Sequence, residues 1–294
     1  MLVVDSVNPP AGPQQTSRAG RNLPVAITVG LLLAGMLVGA LVFAPVLWIV
    51  ILAIATPIAT HEVVRRLREG GYDVPFIPVA LGGQAMIWLS WPFGTTGVLG
   101  AFGATVVVCM VWRLFGQGLT HTPVNYLRDM SATVMLTVWV PLFMAFGVLL
   151  IFHDDGSGKE FTSGAVFCLL FAVVLSDVGG YTAGVLFGKH PMVPAISPKK
   201  SWEGLAGSLL FGVSGAVVAV TFLLPGRHWW VGLPLGVLLV LTGTLGDLVE
   251  SQIKRDLGIK DMGRSLPGHG GMMDRLDGLL PAAAVTWIVL TVLH

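Results

Sequence analysis

The chain alternates long apolar segments with short polar ones, and this pattern predicts membrane-spanning helices. A helix needs about 20 apolar residues to cross the hydrocarbon core of a bilayer, and fewer when its polar ends reach the interface. Nine segments meet this description, of which the second, third and fourth are short. They are residues 23–43, 45–60, 75–91, 97–112, 131–151, 162–187, 205–224, 229–250 and 278–293. We therefore expect an all-α polytopic membrane protein with about nine transmembrane helices.

Positive charge is distributed unevenly among the polar segments. If the N-terminus lies in the cytoplasm, all but two of the 17 lysine and arginine residues fall in cytoplasmic segments, the exceptions being Lys159 and Arg227. Cytoplasmic loops of membrane proteins carry an excess of these two residue types. The distribution therefore predicts a cytoplasmic N-terminus and an odd number of spans.

The amino-acid composition agrees with a membrane protein. Hydrophobic residues make up 54% of the chain and charged residues 11%, whereas a soluble domain carries roughly 25% charged residues. The net charge of +1 gives no general attraction to nucleic acid. Cys109 and Cys168 lie in apolar runs without metal-binding spacing, so we expect both to be small buried hydrophobic residues.

Charged residues divide the chain into regions. Residues 1–22 are rich in Pro, Gly, Gln and Ser, which predicts a disordered cytoplasmic N-terminus without a signal peptide. Residues 23–160 are expected to form N-terminal transmembrane helices. Residues 161–294 are expected to form a C-terminal catalytic transmembrane region, because the charge is concentrated in its two cytoplasmic loops, 188–204 and 251–277.

An acidic residue interrupts the apolar run that begins at Phe161. Asp177 is predicted to lie well inside a helix, where an unpaired carboxylate costs about 2.5 kcal/mol or more, so it is a candidate functional residue. The alternative is a structural hydrogen bond to a neighbouring helix. Gly180, Gly184 and Gly188 recur every four residues and predict a face for close helix packing.

The segment "ISPKKSWEG", residues 196–204, places two lysines beside a predicted helix start. Ser197 followed by Pro198 is typical of an N-cap with proline at the first helical position. Lys199 and Lys200 would then oppose the helix dipole, which favours anions at that end. An anionic ligand such as phosphate would explain this arrangement, and topology anchoring by positive charge is the alternative.

A third stretch, residues 246–277, crowds charge and glycine into an otherwise apolar chain. Asp247, Glu250 and Ser251 are spaced i, i+3, i+4 and share one helix face. The glycine-rich segment 267–271 allows close approach of the backbone to a phosphate. Carboxylates on both sides can hold Mg²⁺ together with substrate phosphates. This combination predicts phosphoryl or nucleotidyl transfer with a polyphosphate held at the membrane surface.

At these residues the chain resembles the phosphatidate cytidylyltransferase (CDP-diacylglycerol synthase) family. The matching signature consists of Ser251, Lys254, Arg255, Lys260, Asp261, Gly263, Pro267, His269, Gly270, Gly271, Asp274, Arg275 and Asp277. An upstream block from Ser176 to Gly204 also matches, with Gly180 where alanine is expected, so the resemblance covers about 175–280. It implies that CTP and phosphatidate give CDP-diacylglycerol and pyrophosphate in phospholipid biosynthesis. It also implies Mg²⁺, a homodimer and about nine helices.

Roles for individual residues follow from the resemblance and from the charge pattern together. The expected metal ligands are Asp247 and Asp274, and Asp177 is a candidate to support a second, monovalent cation or the nucleotide. The expected catalytic residues are Asp247, Asp274, Asp177, Lys254, Arg255 and His269. For His269, a structural role is the alternative. The expected substrate-binding residues are Lys199, Lys200, Ser197, Ser251, Lys260, Asp261, Gly270, Gly271, Arg275 and Asp277.

Two other functions remain open. A CTP-dependent polyprenol (dolichol-like) kinase would share a phosphate-binding loop but would transfer a γ-phosphate. A transporter would also place Asp177 in the membrane, although it would not need a loop suited to a triphosphate. The favoured interpretation is direct attack of the phosphatidate phosphate on CTP. The reaction is expected at the cytoplasmic face of a bacterial inner (plasma) membrane. The lipid bilayer is expected as a further partner, and nucleic acid is not.

Overall fold

The computed structural model describes residues 23–116, 118–153, 160–266 and 270–293. Its helices are α1 (Leu23–Phe43), α2 (Leu47–Glu69), α3 (Phe76–Phe115), α4 (Tyr126–Thr137), α5 (Phe143–Leu149), α6 (Gly164–Phe187), α7 (Trp202–Leu223), α8 (Gly232–Asp256), α9 (Met273–Leu276) and α10 (Leu279–Val292). A π-helical turn at Val138–Leu142 joins α4 to α5, and 3₁₀ turns lie at Leu150–Phe152 and Trp229–Val231. Two strands, β1 (Pro191–Val193) and β2 (Ser197–Ser201), lie between α6 and α7.

Long apolar helices dominate the described part of the chain. Seven helical stretches within it have at least 18 residues and are apolar enough to cross a membrane. Large side chains such as Leu31, Phe93 and Phe222 are more than half exposed, as expected of a surface that faces lipid. The expected class, an all-α polytopic membrane protein, is therefore confirmed. The count of nine spans and the cytoplasmic N-terminus stay predictions, and residues 1–22 lie outside the described residues.

Helix α3 contains two of the predicted spans, 75–91 and 97–112. A continuous helix of 40 residues would be about 60 Å long, twice the hydrocarbon thickness. Gly94 interrupts it with φ 53° and ψ −139°. A Cβ at Gly82 would meet Thr105 Oγ1 at 2.1 Å, although a straight helix would separate these residues by about 34 Å. The element is therefore a helical hairpin whose two arms correspond to the two predicted spans.

A buried ion pair joins the end of α3 to α4. Arg113 Nη2 lies 2.8 Å from Asp129 Oδ2, and both side chains are less than 5% exposed. Arg128 donates to the other carboxylate oxygen of Asp129 at 3.1 Å. Removing one partner of such a pair leaves an uncompensated buried charge and typically costs about 3–5 kcal/mol. Substitution of either partner alone should therefore destabilise the N-terminal half of the bundle.

Glycines allow α6 and α7 to approach each other closely beside the region expected to be catalytic. A Cβ at Gly180 would meet Ser208 Oγ at 2.2 Å, and one at Gly207 would meet Ala183 Cβ at 2.4 Å. A Cβ at Gly184 would make ordinary van der Waals contact with the start of α7, at 3.7 Å from Ser201 Oγ and 3.8 Å from Gly204 Cα. The small-residue face expected on α6 is thus confirmed at Gly180 and Gly184.

The prediction that a helix begins at Ser197 is wrong. Residues Ser197–Ser201 form β2, which pairs with β1 in an antiparallel hairpin with Val193 opposite Ser197. Lys199 and Lys200 therefore lie on an extended strand. Their charges do not oppose a helix dipole, so that argument for an anionic ligand no longer applies.

Helix α7 begins instead at Trp202, because a suitable cap immediately precedes it. The Ser201 hydroxyl oxygen accepts a hydrogen bond from the Gly204 N–H at 3.1 Å. Glu203 lies in the first turn, where a negative charge is favourable. These two residues provide the helix start that the sequence pattern assigned to Ser197.

The close packing of α6 on α7 predicts the effect of a single added methyl group. In Gly207→Ala this methyl would lie 2.4 Å from Ala183 Cβ and 2.5 Å from the Gly179 carbonyl oxygen. Overpacking of this kind destabilises by about 1–3 kcal/mol, so the melting temperature in detergent should fall. Gly100→Ala is the matched control, because no atom lies within 4 Å of its Cβ position. Equal melting temperatures for the two variants would contradict the close approach.

Candidate active site

A cavity of about 530 Å³ opens among α6, α7, α8, the β1–β2 hairpin and the start of the final helical segment. Four elements contribute charged residues to its wall. These are Asp177 on α6, Lys200 on β2, Asp247 on α8, and Asp274 and Asp277 in or just after α9. Lys199 on β2 also lines the cavity, so six charged residues that sequence analysis singled out, spread over about a third of the chain, lie around it.

Two lysines on β2 give the cavity its positive charge. Lys200 forms an ion pair with Asp247, and its Nζ lies 3.4 Å from the Thr244 carbonyl oxygen. Lys199 lines the same cavity and is more exposed. The paired side chains of Lys200 and Asp247 are 24% and 40% exposed, and ion pairs with such access to solvent contribute little. A phosphate group can therefore replace Asp247 as the partner of Lys200 at little cost.

Three carboxylates form an acidic cluster beside this ion pair. Asp247, Glu250 and Asp277 each place an oxygen within 4.8 Å of the other two, and negative charges this close repel each other unless a cation lies between them. Glu250 is fully buried, and its Oε1 has no hydrogen-bond partner among the described residues. A set of carboxylate oxygens with one unpartnered buried atom fits a hard divalent cation.

Asp274 also lines the cavity, but the surrounding chain already occupies its carboxylate. Its Oδ1 accepts from Lys254 Nζ at 3.1 Å. The Met262 N–H lies 3.1 Å from both oxygens, and the Gly271 N–H donates to Oδ2 at 3.0 Å. These bonds make Asp274 an organiser of the loop between α8 and α9. Its expected role as a metal ligand stays a prediction.

The two cations at the end of α8 connect parts of the site. Lys254 Nζ lies 2.6 Å from Glu250 Oε2 and 3.1 Å from Asp274 Oδ1, so it joins the acidic cluster to the loop. Arg255 Nε donates to the Ile196 carbonyl oxygen. That bond ties the β1–β2 hairpin, which carries the two lysines, to the end of α8.

Three of the other expected site residues have local partners. Ser251 Oγ donates to Asp247 Oδ1 at 3.4 Å and so supports the acidic cluster. Gly270 has φ 94° and exchanges two backbone hydrogen bonds with Leu266, at 2.9 and 3.1 Å. Ser197 pairs with Val193 at the start of β2.

The remaining expected residues lie away from the cavity wall or outside the described residues. Lys260, Asp261 and Arg275 are exposed, and none of them is among the described residues that line the cavity. His269 falls outside the described part of the chain. The structure therefore brings the cavity carboxylates together with the β2 lysines. The cationic side chains of Lys260 and Arg275 lie apart from them.

Two acidic residues belong to the site region although sequence analysis gave them no site role. Glu250 completes the acidic cluster, and its spacing from Asp247 on one helix face is the signal that identifies it. Glu62 on α2 bonds to the loop between α8 and α9. Its signal is an acidic side chain at the end of an apolar run, which marks a functional candidate in a membrane helix.

The helical membrane fold and the cavity together define the class of the protein. Carboxylates that suit a divalent cation lie beside lysines that suit phosphate groups, as in a membrane enzyme that handles phosphate esters. The model of the Cytidylyltransferase family matches residues 24–293, and the chain belongs to this family. The family membership expected from the signature residues is therefore confirmed.

Individual relatives give the same result. The chain is 61% identical over 287 residues to the phosphatidate cytidylyltransferase of Mycobacterium bovis. The aligned region covers 95% of this chain and 92% of that protein. It is 60% identical over 291 residues to the protein of that name from Mycobacterium leprae, covering 95% and 91%. The similarity to that of Staphylococcus saprophyticus is 43% over 141 residues, covering 47% and 52%.

The bonds at Asp274 predict that its carboxylate holds the loop in place. In Asp274→Asn one oxygen becomes an N–H₂ group, which cannot accept, so the bond from Gly271 is lost at one oxygen or the bond from Lys254 at the other. We expect the backbone amides of Met262, Gly263 and Gly271, which donate to this carboxylate, to exchange with deuterium about tenfold faster or more, as measured by mass spectrometry. Asp247→Asn, whose side chain lies outside this loop, is the matched control and should keep the amides protected. Unchanged exchange in Asp274→Asn would show that the loop is held by other contacts.

Proposed function

We propose that this protein transfers the cytidylyl group of CTP to phosphatidate and gives CDP-diacylglycerol and pyrophosphate, for phospholipid biosynthesis. The observation that carries the proposal is the cavity in which the β2 lysines face the acidic cluster of Asp247, Glu250 and Asp277. Relatives about 60% identical over most of the chain bear the name phosphatidate cytidylyltransferase. A nucleoside triphosphate and a lipid phosphate both need cations and a divalent metal nearby.

The reaction needs no nucleophile from the protein. A phosphate oxygen of phosphatidate attacks the α-phosphorus of CTP, the new P–O bond forms, and the bond to the bridging oxygen breaks as pyrophosphate leaves. The work of the chain is to position the two substrates and to offset their charge. Lys199 and Lys200 are suited to bind phosphate groups, and Lys254 keeps Glu250 and Asp274 in register.

Mg²⁺ is the cofactor that we propose for the acidic cluster. Asp247, Glu250 and Asp277 are the residues that would hold it, because their oxygens converge and Glu250 Oε1 is unpartnered among the described residues. Once bound, the ion supplies charge stabilisation for the phosphates. Asp274 and Asp177 line the same cavity, and Asp177 remains the candidate for a second, monovalent cation or for the nucleotide.

The environment of the enzyme is part of the same proposal. The active site faces the cytoplasm of a bacterial inner membrane, because CTP is a cytosolic metabolite and the positive charge of the chain is concentrated on that side. We also propose a homodimer. The regions named in the sequence analysis keep their expected roles, with residues 161–294 carrying most of the catalytic groups.

An assay of the products tests the proposed reaction. Purified protein is supplied with CTP labelled at the α-phosphorus, phosphatidate and Mg²⁺. Labelled CDP-diacylglycerol and an equal amount of pyrophosphate are expected. Phosphorylated lipid together with CDP would indicate a kinase instead. Movement of solute into liposomes without turnover of CTP would indicate a transporter.

The acidic cluster predicts the behaviour of three neutral variants. Asp247→Asn, Glu250→Gln and Asp274→Asn should each lower turnover by about 100-fold or more, because a lost metal ligand or loop anchor removes charge stabilisation during the reaction. Asp256→Asn is the matched control on the same helix, since its exposed side chain accepts only from Gln252 among its described contacts. It should keep turnover within about twofold. Near-normal activity of the Asp247 variant would refute the proposed metal site.

The proposed orientation predicts on which side of the membrane each end of α8 lies. In a background without Cys109 and Cys168, we expect Asp256→Cys to react with an impermeant thiol reagent only from the cytoplasmic side. His228→Cys, at the opposite end of α8, should react only from outside. Both positions are exposed, so accessibility in the protein does not limit either reaction. The reverse labelling pattern in intact cells would overturn the topology.

A further inference from the structure

A buried carboxylate from the N-terminal half of the chain contacts the loop that carries the family signature. Glu62 lies on α2 and is only 5% exposed. Its Oε1 accepts from the Ser265 hydroxyl at 2.5 Å and from the Ser265 N–H at 3.3 Å. Its Oε2 accepts from the Met273 N–H at 3.0 Å. The signature block itself does not include this residue.

The two carboxylate oxygens hold opposite sides of the loop. Ser265 lies before the loop tip, and Met273 lies after it, at the first residue of α9. Each side is therefore fixed to the same rigid helix and, through it, to the other side. Arg66, one turn further along α2, donates from Nε to the Met262 carbonyl oxygen at 2.9 Å, which adds a second attachment before the tip.

Two signature glycines leave the space that Glu62 occupies. A Cβ at Gly263 would lie 2.0 Å from Glu62 Oε1, and a Cβ at Gly271 would lie 2.8 Å from Glu62 Oε2 and 2.7 Å from Asp274 Oδ2. The backbone φ angle of neither glycine is positive. Their lack of a side chain is therefore explained by space for two carboxylates and does not require an unusual backbone conformation.

The same loop connects Glu62 to the proposed active site. The N–H groups of Met262 and Gly271 donate to Asp274, and the Cβ position of Gly271 lies within 2.8 Å of both the Asp274 and the Glu62 carboxylates. Asp274 in turn pairs with Lys254, which holds Glu250 of the acidic cluster. Any movement of the loop away from α2 would therefore change the position of Asp274 and of Lys254.

We propose that Glu62 is a positioning residue, which clamps both sides of the signature loop so that Asp274 and Lys254 keep the acidic cluster in its active arrangement. This inference rests on the proposed function for its effect on turnover, whereas the clamp itself is independent of that function. A carboxylate suits this position because the N–H groups of Ser265 and Met273, which cannot accept a hydrogen bond, lie at different oxygens of Glu62. Glutamine offers one oxygen, and aspartate is one methylene too short to reach both sides.

The first experiment compares Glu62→Gln and Glu62→Asp with Asp129→Asn. The control also removes a buried carboxylate from the N-terminal half, but its partners are Arg113 and Arg128. In both Glu62 variants, the amides of Ser265 and Met273, which donate to Glu62, should exchange about tenfold faster or more, and kcat should fall about tenfold or more. The KM for CTP should stay within about twofold, because Lys199 and Lys200 lie on a separate hairpin.

Asp129→Asn should lower the melting temperature while the loop amides keep their protection and kcat per folded molecule is retained. If Glu62→Gln kept the loop-amide protection and the turnover of the parent protein, the proposal would be overturned. So would a loss of turnover that only follows a fall in melting temperature, with loop exchange unchanged. If the parent protein makes no CDP-lipid, the proposed function fails, and the exchange measurements still decide whether the clamp exists.

A second experiment uses the space between Glu62 and Gly263. The methyl of Gly263→Ala collides with the carboxylate, so this variant alone should lose loop protection to about the same extent as Glu62→Ala. Once Glu62→Ala has removed the obstacle, adding Gly263→Ala should cause little further loss in the double variant. Such non-additivity is expected of residues in direct contact. Strictly additive losses would show that the two positions act separately and would contradict the clamp.

Discussion

Acidic side chains held near the end of a membrane bundle are the constraint on which the arrangement of the site depends. A buried carboxylate is tolerated only when hydrogen-bond donors or cations compensate it. Lys254 serves Glu250 and Asp274, backbone N–H groups serve Asp274, and Lys200 serves Asp247. The compensation at the acidic cluster is incomplete, since Glu250 Oε1 lacks a partner in the described structure. A bound cation would complete it.

Glycine serves this arrangement in two different places. Between α6 and α7 it removes side chains so that the helices pack closely and Asp177 faces the cavity. In the loop, Gly263 and Gly271 make room for the carboxylates of Glu62 and Asp274. The sequence analysis attributed the loop glycines to close approach of a phosphate. In the structure the Cβ position of Gly271 is occupied by atoms of Asp274, Gly263 and Glu62, which is a packing reason for glycine there, and its expected role in substrate binding stays a prediction.

The N-terminal helices take part in the site although their sequence shows little of the signature. Contacts from α2 to the loop join residues about 200 positions apart. The family match over residues 24–293 covers both halves of the chain. The ion pair of Arg113 and Asp129 joins α3 to α4 within the first half, and the loop itself is held by Glu62 and Arg66 of α2.

The sequence by itself determined the membrane class, because apolar runs of this length have no stable alternative to helices in a bilayer. It also identified the acids and lysines of the cavity, since charged residues in an apolar chain are few. The sequence pattern predicted the wrong start for α7. Ser197 and Ser201 can each cap a helix, and the pairing of Ser197–Ser201 as strand β2 leaves Ser201 as the cap. The partners of Asp274, the membership of the acidic cluster and the role of Glu62 were decided only by tertiary structure. They depend on hydrogen bonds between distant segments, whose donors and acceptors are brought within about 3 Å by packing alone.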